Sequence, residues 1–449
     1  MSTALARAYA GNPALNQQRA GVRATDESLP RASAAGRPTV NATGQFGYNY
    51  YDQSTPVTAS TLAAKAAGGG LAASRSRLTQ ATDPGTLGLN ISQNLFNGNR
   101  TVNGIRQAES NIFGARETLR NTEQSVLLDG ATAYMNVLRD TAIVALRKDN
   151  IIVLEEQVRE TRDRFIGGEV TRTDVAQAES SLATGRSDYF AAQANLETSI
   201  ANYRRVIGIE PAHLEPARTI EGLLPRSLGA AIELAIAEHP GVQASLHAVD
   251  AAALQVKLAE SELYPTVNVG ASVQQNYNYT GLPGERYLNA AVVGQISVPI
   301  YEGGAVYASV RQAKESLGQA RLQADVQRDL VRAGVVTAWS QLDSARAAIH
   351  SSKVAVKSAE IALDGIRQEA LVGQRTTFDI LFAQQTLLNT RVTLVNAEHG
   401  RVVASYAAMA AIGRLSAGNL NLSVGQYDPT VHFEQVKDKW IGLRTTDGR

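Results

Sequence analysis

The sequence predicts an α+β membrane protein built from a duplicated helix–strand–strand–helix–helix repeat. Three observations predict it: a repeat in register, very long proline-free helical stretches in both copies, and amphipathic strand-like segments between the helices. The repeat comes first. Asn12-Pro13 returns as His239-Pro240, and Pro38-Thr39-Val40-Asn41 returns as Pro265-Thr266-Val267-Asn268, both shifted by 227 positions. Further along the shift is 205: Phe96-Asn97-Gly98 matches Tyr301-Glu302-Gly303, Gly168 matches Gly373, Asp174 matches Asp379, and Ile207-Gly208 matches Ile412-Gly413. The first copy therefore carries a longer insertion between its two Gly-rich segments. Two copies in register imply two pseudo-equivalent halves of one architecture.

The first copy is expected over 1–208 and the second over 229–413, with an equatorial linker at 209–228 and an equatorial tail at 414–449. In the first copy, Met1-Ser2-Thr3 leads straight into a polar helical pattern without the apolar core of an export leader. Strands follow at about 38–53 and 85–97. Val40, Ala42, Phe46, Tyr48 and Tyr50 alternate with Asn41, Thr43, Gln45 and Asn49, and Leu87, Leu89 and Ile91 alternate with Gly88, Asn90 and Ser92. The second copy places strands at about 265–279 and 287–300, where Val267, Val269, Ala271 and Val273 alternate with Asn268, Gly270, Ser272 and Gln274. Such a period of two, with one apolar and one small polar face, marks strands. Tyr48, Tyr50, Tyr51, Tyr277, Tyr279 and Tyr287 cluster toward one end, as at an aromatic belt. The segment from Ser54 to Asp83, with Gly68-Gly69-Gly70, Lys65, Arg75 and Arg77, reads as a mobile exposed loop, and Thr280 to Arg286 is its short counterpart.

The long helices are expected over 99–165 and 304–371. At about 1.5 Å per residue, the first makes a rod of roughly 100 Å. Val137, Val144, Ile151, Val158 and Phe165 fall seven apart, as do Leu342, Ile349, Val356, Leu363 and Ala370 at the same relative positions. Ladders of this period call for coiled-coil-like packing. Each rod ends at a glycine turn, Ile166-Gly167-Gly168-Glu169 and Val372-Gly373-Gln374-Arg375. A second helix then opens with Thr173-Asp174 in one copy and Thr377 in the other, and runs over 173–207 and 376–412. Non-helical stretches from Glu210 to Arg226 and Ser416 to Arg449 are expected to form a collar around the helices.

Four strands cannot close a membrane barrel, since the smallest closed ones have eight. An open edge in lipid leaves backbone groups unsatisfied at several kcal/mol each. A barrel must then be shared between two, three or four subunits.

Composition removes other classes. Cysteine is absent, which excludes a disulfide framework and a thiolate metal site. Lys+Arg number 43 against Asp+Glu 42, so no basic footprint for nucleic acid exists. Gly68 to Gly70 lacks the Lys-Ser/Thr of a phosphate loop. The six histidines, His213, His239, His247, His350, His399 and His432, show no ligand-like spacing. No catalytic constellation, cofactor or metal is expected.

The duplicated unit, with the tip Arg164-Phe165-Ile166-Gly167-Gly168 and the segment Val372-Gly373-Gln374-Arg375-Thr376-Thr377-Phe378-Asp379, resembles the TolC family of outer-membrane channel-tunnel proteins from about Leu5 to Gly413. The tail, with Tyr427-Asp428-Pro429 and Lys439-Trp440, is similar to members serving type I secretion. The resemblance implies a homotrimer in which a 12-stranded β-barrel in outer-membrane lipid continues as a 12-helix periplasmic tunnel. It also implies partners: a periplasmic adaptor docking at Ile166, Gly167, Gly168, Glu169, Val372, Gly373 and Gln374, and an inner-membrane pump of ABC or RND type. At the tunnel end, Arg375 is implied to reach Thr173 and Asp174 of a neighbouring hairpin, with Asp379 lining the constriction. The sequence departs from the family's best-studied member at Ala370, where that member has a Tyr, and at Phe382, where it has a second pore-lining Asp. The alternative is a non-conducting coiled-coil scaffold or surface protein, distinguished by solubility without detergent.

Overall fold

The computed structural model describes residues 1–55, 76–278 and 284–445. Its elements, in chain order, begin with α1 (Ser2–Gly11), α2 (Pro13–Asp26) and α3 (Ser28–Ala34). Strands β1 (Thr39–Phe46), β2 (Asn49–Thr55), β3 (Ser76–Thr82) and β4 (Gly85–Asn97) follow, then the hairpin of α4 (Arg100–Ile166) and α5 (Arg172–Ile207). The second copy has α6 (Leu228–Glu238), α7 (Pro240–Glu260), β5 (Thr266–Tyr277) and β6 (Arg286–Ser297), then α8 (Ala305–Leu371) and α9 (Thr377–Ile412). A short α10 (Pro429–Val436) lies in the tail. No described helix is long and apolar enough to cross a membrane.

The chain forms two compact units that cut across the two copies. One comprises 29–108 and 253–315 and carries the strands. Its main sheet is antiparallel in the order β1-β4-β5-β6. The register puts Val40, Ile91, Ala271 and Val292 in one cross-strand row, and Ala42, Leu89, Val273 and Ala290 in another. Residues directly opposite share a face, so these rows form an apolar side. On the other side Asn94 Nδ2 donates to Asn268 Oδ1 at 2.9 Å, and Thr86 Oγ1 donates to Asn276 Oδ1 at 3.1 Å. A bulge between Asn94 and Phe96 restores the phase, pairing Phe96 with Val267. Among the described residues, β1 and β6 each pair with one neighbour only.

Three strand-level expectations need correction. The segment 38–53 is two strands, β1 and β2, broken at Gly47, whose N–H turns to the carbonyl of Pro84 (3.0 Å). Tyr50 and Tyr51 therefore lie on β2, which pairs with β3 in a separate two-stranded sheet. The expected loop from Ser54 to Asp83 contains β3, so Arg77 stands on a strand, while Lys65, Gly68 to Gly70 and Arg75 lie outside the described residues. Of its short counterpart, Thr280 to 283 lie outside them too, and Arg286 opens β6.

The other unit comprises 1–28, 109–252 and 316–449. Its largest core gathers Leu5, Leu15, Val22, Leu127, Tyr134, Tyr203, Tyr406 and Leu415, drawn from α1, α2, both hairpins and the tail. The duplication is repeated in side-chain detail. Arg186 Nη2 bonds Glu155 Oε1 across α4 and α5 at 2.7 Å, and Arg391 Nη2 bonds Glu360 Oε1 across α8 and α9 at 2.7 Å. Asn12 and His239 precede prolines that open α2 and α7, and each side chain caps its helix: Ala14 N to Asn12 Oδ1 (2.9 Å) and Gly241 N to His239 Nδ1 (3.0 Å). Both hairpins end on left-handed glycines, Gly208 and Gly413, with φ of 88° and 89°. The heptad positions are buried or half-buried except Phe165, which is exposed. The stretches expected to be non-helical contain a 3₁₀ turn at Glu221–Leu223 and α10. Asp428 caps α10 by accepting from Thr430 N at 2.8 Å, with Pro429 at the first position.

Candidate functional site

The two hairpin tips carry the candidate site, and their geometry follows from local sequence. At the first tip, Gly168 N bonds Phe165 O (3.0 Å) and Glu169 N bonds Arg164 O (2.9 Å). At the second, Gly373 N bonds Ala370 O (3.1 Å) and Gln374 N bonds Glu369 O (2.9 Å). This pattern satisfies the last carbonyls of each long helix and needs a left-handed residue. Gly168 and Gly373 supply it, with φ of 79° and 78°.

The helices that leave the tips are capped in the same way. Thr171 N and Oγ1 both donate to Asp174 Oδ2, at 2.8 and 2.7 Å. Thr376 N and Oγ1 both donate to Asp379 Oδ2, at 2.9 Å each. Each Asp N–H returns a bond to the Thr hydroxyl, which completes a reciprocal capping box. Hydrogen bonds from Thr171 hold the Asp174 carboxyl below the usual range, and those from Thr376 do the same for Asp379. Both acids are ionised at neutral pH. The caps are Thr171 and Thr376, not Thr173 and Thr377. The signal was present in the Thr-x-x-Asp spacing at both sites.

An ion pair spans each tip with the charges exchanged. Arg164 Nε bonds Glu169 Oε2 at 3.1 Å, while Arg375 Nε bonds Glu369 Oε2 at 2.7 Å. Glu369 raises the Arg375 pKa. Among the described residues, no bond joins Arg375 to Thr173 or Asp174 within the chain, and Thr173 is exposed. Phe378 and Phe382, one turn apart on α9, have rings 6.4 Å apart and near parallel, and both are exposed. A cleft of about 370 Å³ opens beside them, with Leu154, Thr184, Leu381 and Gln384 among its walls. Ile166, Leu371 and Val372 stand 82%, 79% and 71% exposed at the tips. Gln374 and Glu169 lie in the turns between these residues and the caps.

The family model described as outer membrane efflux protein matches residues 4–209 and 231–414. The outer membrane efflux protein BepC of Brucella suis biovar 1 is 42% identical over 449 residues, covering 100% of this chain and 93% of that protein. The outer membrane protein TolC of Escherichia coli K12 is 26% identical over 375 residues, covering 74% and 75%. The crystal structure of the Campylobacter jejuni CmeC outer membrane channel superposes with a TM-score of 0.77 at 14% identity, covering 97% of this chain and 88% of that one.

Proposed function

The chain belongs to the outer membrane efflux protein family, and from that premise we propose that it is the outer-membrane exit duct of a tripartite export system. It passes substrates, type I-secreted proteins and/or drugs, from an inner-membrane ABC or RND-type pump through a periplasmic adaptor to the exterior. The observation that carries this reading is the four-stranded sheet with an apolar face, a polar face and two singly paired edges. In lipid such edges are costly, and a shared barrel removes them. Three copies give twelve strands, an even number above the minimum for closure.

The gate lies at the tips. Arg375 of one subunit meets Thr173 and Asp174 of its neighbour, and Asp379 and Phe382 line the constriction. Reciprocal capping supports this reading because it fixes both acids in a defined orientation on rigid helix starts. The exposed apolar residues Ile166 and Val372, with Gly167, Gly168, Glu169, Gly373 and Gln374 around them, form the adaptor-docking surface. The test is reconstitution of the purified protein in planar bilayers. A duct gives discrete conductance steps, which grow in Phe382→Ala and lose cation preference in Asp379→Asn. A scaffold gives none.

A further inference from the structure

We propose that the cavity between α2, α4 and the C-terminal tail binds a small organic carboxylate. The cavity, about 250 Å³, is walled by Tyr9, Leu15, Arg19, Arg116, Tyr427 and Pro429. It falls just under the size of sites for drug-like ligands, which selects a compact molecule. Four donor atoms on three of these side chains are buried and bond no protein group: Arg19 Nε, Arg116 Nε, Arg116 Nη2 and the Tyr427 hydroxyl. Buried donors of this kind are costly and call for an acceptor.

The chemistry of that acceptor follows from the donors. Arg116 Nε and Nη2 form one edge of a planar guanidinium, the fork that takes a carboxylate through two parallel bonds. This protein uses that edge elsewhere. Arg414 Nε and Nη2 hold both oxygens of Glu238 at 2.9 and 3.0 Å, and Arg139 Nε and Nη2 hold both oxygens of Asp140 at 2.7 and 3.1 Å. The fork of Arg116 has no such protein partner. Phe113 and Phe433 hold its guanidinium in place, with ring centroids 5.6 and 5.0 Å from Cζ.

The nearby acids are engaged otherwise. Glu117 accepts from Arg120 Nη1 at 2.7 Å, and Glu123 accepts from the Ala417 N–H at 2.7 Å. Asp26 accepts from His432 Nδ1 at 2.9 Å; its Oδ1 is buried and unbonded, and the charge of Arg116 acts on it without a direct ion pair. Arg19, Arg116 and Arg120 stand with Glu117 and Glu123 in the lining, and the charge of Arg116 also acts on Asp26 and Asp428. Leu15 and Pro429 offer the ligand's body an apolar wall, while the Tyr9 ring carries the Arg19 guanidinium, with Cζ 4.5 Å from its centroid. Because Arg19 belongs to α2, Arg116 to α4 and Tyr427 to the tail, the ligand ties the three segments together.

Calorimetric titration of the detergent-solubilised full chain with benzoate, benzamide and inorganic phosphate tests the assignment. Benzoate is expected to bind saturably at one site per chain, with benzamide, its neutral isostere, at least about ten-fold weaker. Arg116→Gln should weaken benzoate about ten- to hundred-fold, and Tyr427→Phe, which keeps the ring, about two- to ten-fold. Equal binding of benzoate and benzamide overturns the proposal, as does tighter binding of phosphate. If Arg116→Gln fails to fold, parent-like benzoate affinity in Tyr427→Phe overturns it too.

Discussion

Arg375 is held by Glu369 of its own hairpin, Nε to Oε2 at 2.7 Å, across the glycine turn that separates them. The equivalent of Glu369 in the first copy is Arg164, which pairs with Glu169, so duplication has kept a pair at each tip while exchanging its charges. In the proposed trimer Arg375 divides its donors between Glu369 and Asp174 of the next subunit. Arg375→Ser then removes both contacts and raises single-channel conductance in planar bilayers. Glu369→Gln leaves Arg375 to Asp174 alone and lowers it. Unchanged conductance in both variants places the constriction elsewhere.

Three glycines with the same backbone conformation carry different loads. A Cβ on Gly168 or Gly373 meets nothing within 4 Å, whereas one on Gly413 comes within 2.7 Å of His239 Cα. Gly168→Val and Gly373→Val strain only their tips, at about 1–3 kcal/mol each. Export is expected to fail while trimers persist in the membrane. Gly413→Val adds a backbone clash inside the helical unit and is expected to reduce the amount of assembled protein. Trimer yield and export, measured side by side, separate the two outcomes.

The sheet register assigns faces that mutation can read. Arg at Val40 or Ala271, in the row with Ile91 and Val292, places a charge on the apolar side. At mid-membrane depth the cost is about 2–4 kcal/mol per site. Arg at Asn41 lies in the row of Asn90 and Ser272, where a wet lumen tolerates it. Outer-membrane assembly should fall for the first pair and hold for the last. Equal effects on both faces refute the assignment.

His399 predicts a pH dependence. Its Nε2 lies 2.7 Å from Asn136 Oδ1, and burial, with a smaller push from Arg139, lowers its pKa from 6.5 to about 4, against the opposing Asp140. The folded state therefore keeps the ring neutral where the unfolded chain protonates it. Stability is full above about pH 6.5 and is lost as pH falls toward about 4. Allowing for the half-exposed ring, the loss is roughly 1 kcal/mol per chain by about pH 5. Thermal midpoints at neutral and acidic pH should converge in His399→Gln relative to the parent, since opposing shifts at Glu123 and Asp26 are common to both.

Much of this was legible because glycine and proline punctuate the chain. The first rod, expected over 99–165, is Arg100–Ile166, since only the glycine turns interrupt its periodicity. The break at Gly47 was not legible: alternation continues through Tyr48 and Tyr50, and the turn of the Gly47 N–H to Pro84 is a tertiary event. Helix α10 was missed although Asp428-Pro429 is a start signal, because eight residues give too little periodicity to outweigh the Gly and Asn around them. The Thr-x-x-Asp spacing identifies both caps, and in the first copy the cap, Thr171, stands two residues before the expected Thr173. The Arg375–Glu369 pair was not readable, because a turn, not a helix period, brings positions six apart together.

A barrel shared by three chains sets the mass of the detergent-solubilised particle, corrected for bound detergent. Three chains of 47.8 kDa give about 143 kDa of protein. A trimeric barrel gives that mass and precipitates when detergent is removed. A particle of one chain, or one that stays dispersed in plain buffer, contradicts it.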